Sequence, residues 1–144
     1  MRDGFSFSLR QRVRYAETDA QAIVYHANYL IYAEVGRSAF LRELGLDRDR
    51  MMSANNVELA IGEAWLRYRA PLRYEEEFDI WVRVGEVRRS TWTFEYEITR
   101  LDGTLCAEIT TTLVQIDSTT HRATRVIEPV RELLLKAGGR PAAS

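Results

Sequence analysis

Residues 15–29 read YAETDAQAIVYHANY, and the period of the apolar residues changes across them. Upstream, Phe5, Phe7, Leu9, Val13 and Tyr15 fall on one side of an alternation, with Ser6, Ser8, Arg10, Arg12 and Arg14 on the other. Period two with one apolar face marks a half-buried strand, here over residues 5–15. Downstream, Tyr29, Ala33, Gly36, Phe40 and Leu44 recur at spacings of three and four, which makes one face of a helix over residues 27–44. Gly45 suits the left-handed position that closes such a helix. A glycine at position 36 costs about 1 kcal/mol in a helix interior, and close approach of the helix to a sheet would offset that cost. Residues 16–22 form the loop between the two elements. That loop carries an acid, Asp19, and delivers Tyr25 and His26 to the helix start. Helix starts gather unpaired N–H groups and a partial positive charge. A carboxylate beside such an end is placed to act on a carbonyl whose oxygen those N–H groups polarise.

Beyond the helix, residues 47–56 are polar and read as a loop or short turn. Val57, Leu59 and Ile61 then alternate on odd positions, and Ala64, Leu66, Tyr68 and Ala70 on even ones. The slip at Gly62-Glu63 predicts a β-bulge, which can re-aim Glu63. Pro71 ends that strand. Alternation predicts further strands over Phe78–Val84, Trp92–Ile98 and Leu105–Ile116, the last two joined by an Asp102-Gly103 hairpin. Pro129 opens a short helix over 130–137, and residues 138–144 are expected to fray. The order is one strand, one long helix, then four strands in a meander. That is an α+β protein with an antiparallel sheet and one major helix, in a single domain over residues 1–144.

The totals exclude several classes. A chain of 144 residues buries a sizeable core without metals or disulfides. A net charge of −1 argues against a dedicated nucleic-acid binder. The one cysteine, Cys106, permits no internal disulfide, and a cytoplasmic location is the default. The first ten residues hold no apolar run of signal-peptide length. No stretch approaches the roughly 20 apolar residues of a membrane span.

The chemistry-bearing residues narrow the choice further. There is no G-x-S-x-G, and Cys106 sits inside an alternating run, where a thiol behaves as a small packed hydrophobe. His26 and His121 are far apart and share no ligand spacing with other candidates, so no metal site is expected. Asp19 alone fits a turn aspartate bonding its own backbone as well as a reactive acid. Its place seven residues before the helix start, with Ile23-Val24 between them to bury the loop, favours the acid. Arg88-Arg89, followed by Ser90 between two strands, fit either a solvated turn or a clamp whose guanidinium groups hold phosphate oxygens.

The run Asp19-Ala20-Gln21-Ala22-Ile23-Val24-Tyr25-His26-Ala27-Asn28-Tyr29 resembles the acyl-CoA thioesterases of the 4-hydroxybenzoyl-CoA thioesterase type, including the Tol-Pal-associated branch. Tyr68-x-x-Pro71 and Arg88-Arg89-Ser90 also look like that family, and the resemblance spans about residues 7–127. It implies the hotdog fold, an antiparallel sheet wrapped around one long helix. It also implies hydrolysis of an acyl- or aroyl-CoA to free acid and CoA, with no cofactor beyond the CoA of the substrate. By the same resemblance Asp19 attacks the carbonyl or deprotonates a water, and the backbone N–H near His26 stabilises the oxyanion. Tyr25 and the His26 side chain stand beside them. Ile23, Val24, Asn28 and Tyr29 shape the substrate pocket, and Arg88, Arg89 and Ser90 hold the CoA nucleotide. Relatives join two sheets edge to edge, so a homodimer or homotetramer is implied, with sites at the dimer interface. Two other readings stay open: a hotdog dehydratase of 3-hydroxyacyl thioesters with His26 as base, and a non-catalytic acyl-thioester binder. One departure is Ala22, where the family usually has Gly; a positive φ there would strain an alanine.

Overall fold

A computed structural model describes residues 2–46 and 52–142. Strand β1 (Phe7–Arg12) leads through a short 3-10 turn at Tyr15–Glu17 and the following loop into helix α1 (Asn28–Leu44). After it come β2 (Val57–Tyr68), β3 (Glu77–Val87), β4 (Thr91–Arg100) and β5 (Leu105–Asp117). Helix α2 (Glu128–Lys136) and a two-residue strand, β6 (Arg140–Pro141), complete the described chain. The main strands are antiparallel in the order β1-β3-β4-β5-β2, and β6 pairs parallel with β3 beyond the end of β1. This sheet around one long helix is the hotdog fold.

Helix α1 lies on the sheet where the apolar period put it. Tyr29, Tyr32, Ala33, Gly36 and Phe40 are its buried residues. A Cβ at Gly36 would stand 2.6 Å from Ile80 Cγ2 and 3.1 Å from Val82 Cγ2, so the helix approaches β3 too closely for any side chain there. Phe40 stacks between Phe7 and Phe94 at ring separations of 5.0 and 5.6 Å. Truncating such a ring to alanine removes roughly 3–5 kcal/mol. Gly45 caps the helix at φ 77°, the left-handed conformation expected of it.

Three sequence expectations change. First, the opening strand is shorter than residues 5–15. Val13 is buried but donates its N–H to Glu76 O in a loop contact (2.9 Å), and Tyr15 is 76% exposed. Second, the four later strands are not a simple meander. β3, β4 and β5 are one, but β2 pairs with β5 at the far edge, through a register that slips between Ile61 and Glu63 as the bulge required. The chain must therefore cross the end of the sheet between β2 and β3. Leu72 is fully buried there, which holds the crossing segment down. Third, part of the tail expected to fray is ordered: Arg140 and Pro141 pair with Glu86 and Val87, and Ala142 donates to Val87 O at 2.9 Å. Ser53–Asn55 form a 3-10 turn, while residues 47–51 of the loop expected over 47–56 lie outside the described residues. No helix among the described residues is long and apolar enough to cross a membrane.

Candidate active site

The loop between β1 and α1 is a closed excursion. Tyr25 N–H donates to Glu17 O (2.9 Å), Thr18 and Val24 form an antiparallel bridge, and Asp19 N–H donates to Ile23 O (2.9 Å). At its tip the Asp19 carboxylate accepts Gln21 N–H through Oδ1 at 2.8 Å, and its carbonyl accepts Ala22 N–H at 2.9 Å. The turn bond foreseen for Asp19 thus exists, yet it occupies one carboxylate oxygen. Ala22 stands at φ 63°. This is the left-handed region, where an alanine is strained by about 1–2 kcal/mol and a glycine is not. The segment crossing from β2 to β3 clamps the loop from the other side: Val24 N–H donates to Leu72 O (2.8 Å), and Ile23 bridges Arg73.

That crossing builds a cavity of about 380 Å³. Asp19, Ile23, Val24, His26 and Tyr29 line one side, and Tyr68 and Pro71 the other. Tyr68, at the end of β2, donates its hydroxyl to His26 O at 2.9 Å and meets the His26 and Tyr29 rings edge-on. It thereby holds the peptide that starts α1. Neither His26 N–H nor Ala27 N–H finds a backbone or side-chain acceptor among the described residues. Two free donors at a helix N-terminus, beside a carboxylate in an apolar-walled cavity, can polarise a carbonyl and offer it an attacking oxygen. Burial pushes the Tyr29 phenol up to about 12, with Cys106 a smaller contributor. It also raises Tyr68. Both hydroxyls are therefore protonated donors at neutral pH.

Other predicted residues are placed differently. Tyr25 is 45% exposed, packs its ring on His26 at 4.4 Å and does not line the cavity. The Asn28 amide donates to Glu17 O at 2.8 Å, so it ties the loop to the helix. Arg88 and Arg89 sit at the β3–β4 turn and line a separate groove of about 790 Å³, which shares no lining residue with the first cavity. Arg125 and Arg131 line it with them. Arg88 pairs with Glu86 at 3.2 Å, and Arg131 donates to the carbonyls of Arg88 and Arg89 at 2.7 and 3.3 Å. Ser90 does not line the groove; its carbonyl takes Gln115 N–H at 3.2 Å.

Sequence reasoning missed Arg125, Arg131, Glu17 and the part played by Tyr68. Arg125 and Arg131 lie about forty residues from Arg88, and only the β5–α2 return brings them near. Tyr68 stands out only in the Tyr68-x-x-Pro71 resemblance, which gives it no role. Glu17 did leave a signal, an acid three residues after Arg14, whose carboxylate accepts Arg14 N–H at 2.8 Å.

The fold and this junction of acid loop and helix N-terminus define a class, the hotdog enzymes that work on thioesters. Within it, the family model of the thioesterase-like superfamily matches residues 13–134, and the chain belongs to that family of thioester hydrolases. It is similar to an acyl-CoA thioesterase of Haemophilus influenzae, 30% identical over 98 residues, which cover 68% of this chain and 71% of that protein. Among solved structures it resembles a hypothetical protein of Thermus thermophilus at 33% identity and TM-score 0.83, covering 90% of this chain and 98% of the other. A hypothetical protein of Aquifex aeolicus is similar at 32% identity and TM-score 0.82, with 90% and 99% covered. The 1,4-dihydroxy-2-naphthoyl-CoA thioesterase of Synechocystis shares the fold, at TM-score 0.82 and 18% identity, with 93% of this chain and 98% of that one covered.

Proposed function

We propose that the protein hydrolyses the thioester of an acyl- or aroyl-CoA. The observation that carries this reading is the Asp19 carboxylate sharing one cavity with a helix N-terminus whose His26 and Ala27 N–H groups are free. The substrate carbonyl oxygen would take those donors, and loss of one such donor costs roughly 3–4 kcal/mol in comparable sites. Asp19 then attacks the carbonyl carbon to give a mixed anhydride, or takes a proton from the attacking water. Tyr25 and the His26 imidazole flank this centre, His26 from within the cavity, while Ile23, Val24 and Tyr29 wall the acyl side. Asn28 serves by holding the loop. The arginine groove of Arg88 and Arg89, now joined by Arg125 and Arg131, suits the phosphates of the CoA nucleotide, with Ser90 at the same turn. No further cofactor enters this chemistry, and the setting is cytoplasmic.

The enzyme works as a homodimer or homotetramer. β2 is a twelve-residue edge strand with Ile61 46%, Trp65 51% and Tyr68 48% exposed, and α1 exposes Leu30, Ile31 and Val35. Open apolar edges pair with another chain, and a second copy joined there would cover these side chains. Sedimentation at micromolar concentration tests the assembly; a stable, fully active monomer rejects it.

The decisive experiment follows free-thiol release from a panel of acyl- and aroyl-CoAs. Thiol release at a rate that depends on the acyl group supports hydrolysis. Hydration or dehydration of the chain without thiol release supports instead the dehydratase with His26 as base. Tight binding without either reaction leaves a binder.

A further inference from the structure

The carboxylate most heavily engaged in the described chain is not Asp19 but Glu17, two residues before it. Glu17 is 9% exposed. Its Oε1 accepts Arg14 N–H at 2.8 Å and the Tyr32 hydroxyl at 2.9 Å. Its Oε2 accepts Arg14 Nε and Nη2 at 3.2 and 3.1 Å. Its carbonyl accepts Tyr25 N–H at 2.9 Å and the Asn28 amide at 2.8 Å. These partners are the last residue before the turn (Arg14), the residue that closes the loop (Tyr25), and the first and second turns of α1 (Asn28 and Tyr32).

A buried carboxylate is costly unless its oxygens are hydrogen-bonded, so an apolar residue would be the simpler choice if only packing were needed here. What the carboxylate supplies is geometry. Tyr32 is itself buried, with its ring against Phe78 at 4.6 Å. The bond from Tyr32 thus ties the loop to the rigid core, whereas the Arg14 side chain is 77% exposed and its ion pair is weak.

We infer that Glu17 is a positioning residue for thioester hydrolysis: its carboxylate ties the start of the Asp19 loop, at Arg14, to Tyr32 in the second turn of α1 and so sets the reach from the Asp19 carboxylate to the His26 and Ala27 N–H groups. This rests on the thioesterase reading above. Tyr32 is the second half of the device. It does not line the cavity itself; its ring also meets Tyr29 at 5.8 Å, a contact that Tyr32→Phe keeps while removing the bond to Glu17.

The test compares Glu17→Gln, Glu17→Ala and Tyr32→Phe with Asp19→Asn in the full chain. It measures kcat and KM on an acyl-CoA, affinity for a non-hydrolysable CoA thioether, and Tm. Glu17→Ala should lower kcat about 10- to 100-fold, because a misplacement near 1 Å can cost about 10²-fold. KM and thioether affinity should stay within about three-fold, since the substrate contacts themselves remain. Glu17→Gln keeps one acceptor for Tyr32 and should recover part of that loss. Adding Tyr32→Phe to Glu17→Ala should cost nothing more, because both remove one linkage. If Glu17→Ala does not fold, Glu17→Gln and Tyr32→Phe carry the test, the first removing the two bonds from the Arg14 guanidinium and the second the one from the Tyr32 hydroxyl. Folded Glu17→Gln and Tyr32→Phe proteins that both keep kcat within two-fold of wild type, while Asp19→Asn is inactive, overturn the role of Glu17 alone. Losses that appear in KM and thioether affinity rather than kcat overturn it as well. An active Asp19→Asn protein instead overturns the catalytic reading itself.

Discussion

The Asp19 loop and the arginine groove are both polar sites on one chain, but they are built to opposite specifications. In the loop most backbone N–H groups from Glu17 to Asn28 are paired, while those of His26 and Ala27 find no acceptor among the described residues. In the groove Arg88 and Arg89 stand at a turn: Arg88 shares Glu86, Arg131 braces the turn's carbonyls, and no other partner for the Arg88 and Arg89 heads is found among the described residues. Preorganised donors lower a barrier because they need no rearrangement when charge develops. Long cationic side chains at a surface mostly supply binding, in ground and transition state alike. On the proposed reading, the loop would govern rate and the groove affinity.

The sharpest way to break that division is Asp19→Asn. It keeps size and turn chemistry and removes the charge, and kcat should fall by about 10²–10⁴, the range for losing a general base. Steady-state kinetics beside a circular dichroism spectrum decides it. A folded Asn protein with kcat within a few-fold of wild type would reduce Asp19 to its turn bond with Gln21.

Arg88→Ala/Arg89→Ala should separate the two regions the other way. KM for an acyl-CoA should rise about ten-fold or more while kcat changes little, since a hydrogen bond to a charged group is worth roughly 1.5–3 kcal/mol. Raising the ionic strength should weaken wild-type binding in the same sense, through screening, and do so less in the double variant. Unchanged KM would remove the phosphate clamp or change the carrier from CoA.

Alkaline titration probes the packing under the loop. The folded Tyr29 phenol is raised to about 12 from 10.0 by burial. Its contribution to stability is fully present below pH 10 and is lost as pH rises through about 12, because the unfolded chain releases that proton first. Urea midpoints should therefore decline as pH rises past 10, and Tyr29→Phe should decline less over that range.

The smallest effect is expected at Ala22→Gly. Relief of the left-handed alanine should raise stability by about 1 kcal/mol, or roughly 4 °C in Tm, with kcat within two-fold. A drop in Tm would mean that glycine's added freedom in the unfolded chain outweighs the strain.

Local pattern determined much of this protein by itself. The change of period across residues 15–29 located strand, loop and helix. Gly36 announced close contact with a sheet, Gly45 the helix end, and Gly62-Glu63 the bulge, because each follows from backbone sterics or from the spacing of neighbouring side chains. Asp19 before a helix start was legible for the same reason. Tertiary structure decided the rest. The placement of β2 against β5, rather than β3, depends on which edge the chain reaches after crossing the sheet end, and no local period records that. Yet this crossing lays Leu72 and Arg73 along the loop, sets Tyr68 on the His26 carbonyl, and closes the cavity. Likewise the joining of Arg125 and Arg131 to Arg88-Arg89, and the capture of Tyr32 by Glu17, unite residues fifteen to forty positions apart. Such contacts form only once the core has chosen its packing, because their energy comes from burial and exclusion of water, not from the propensity of any short segment.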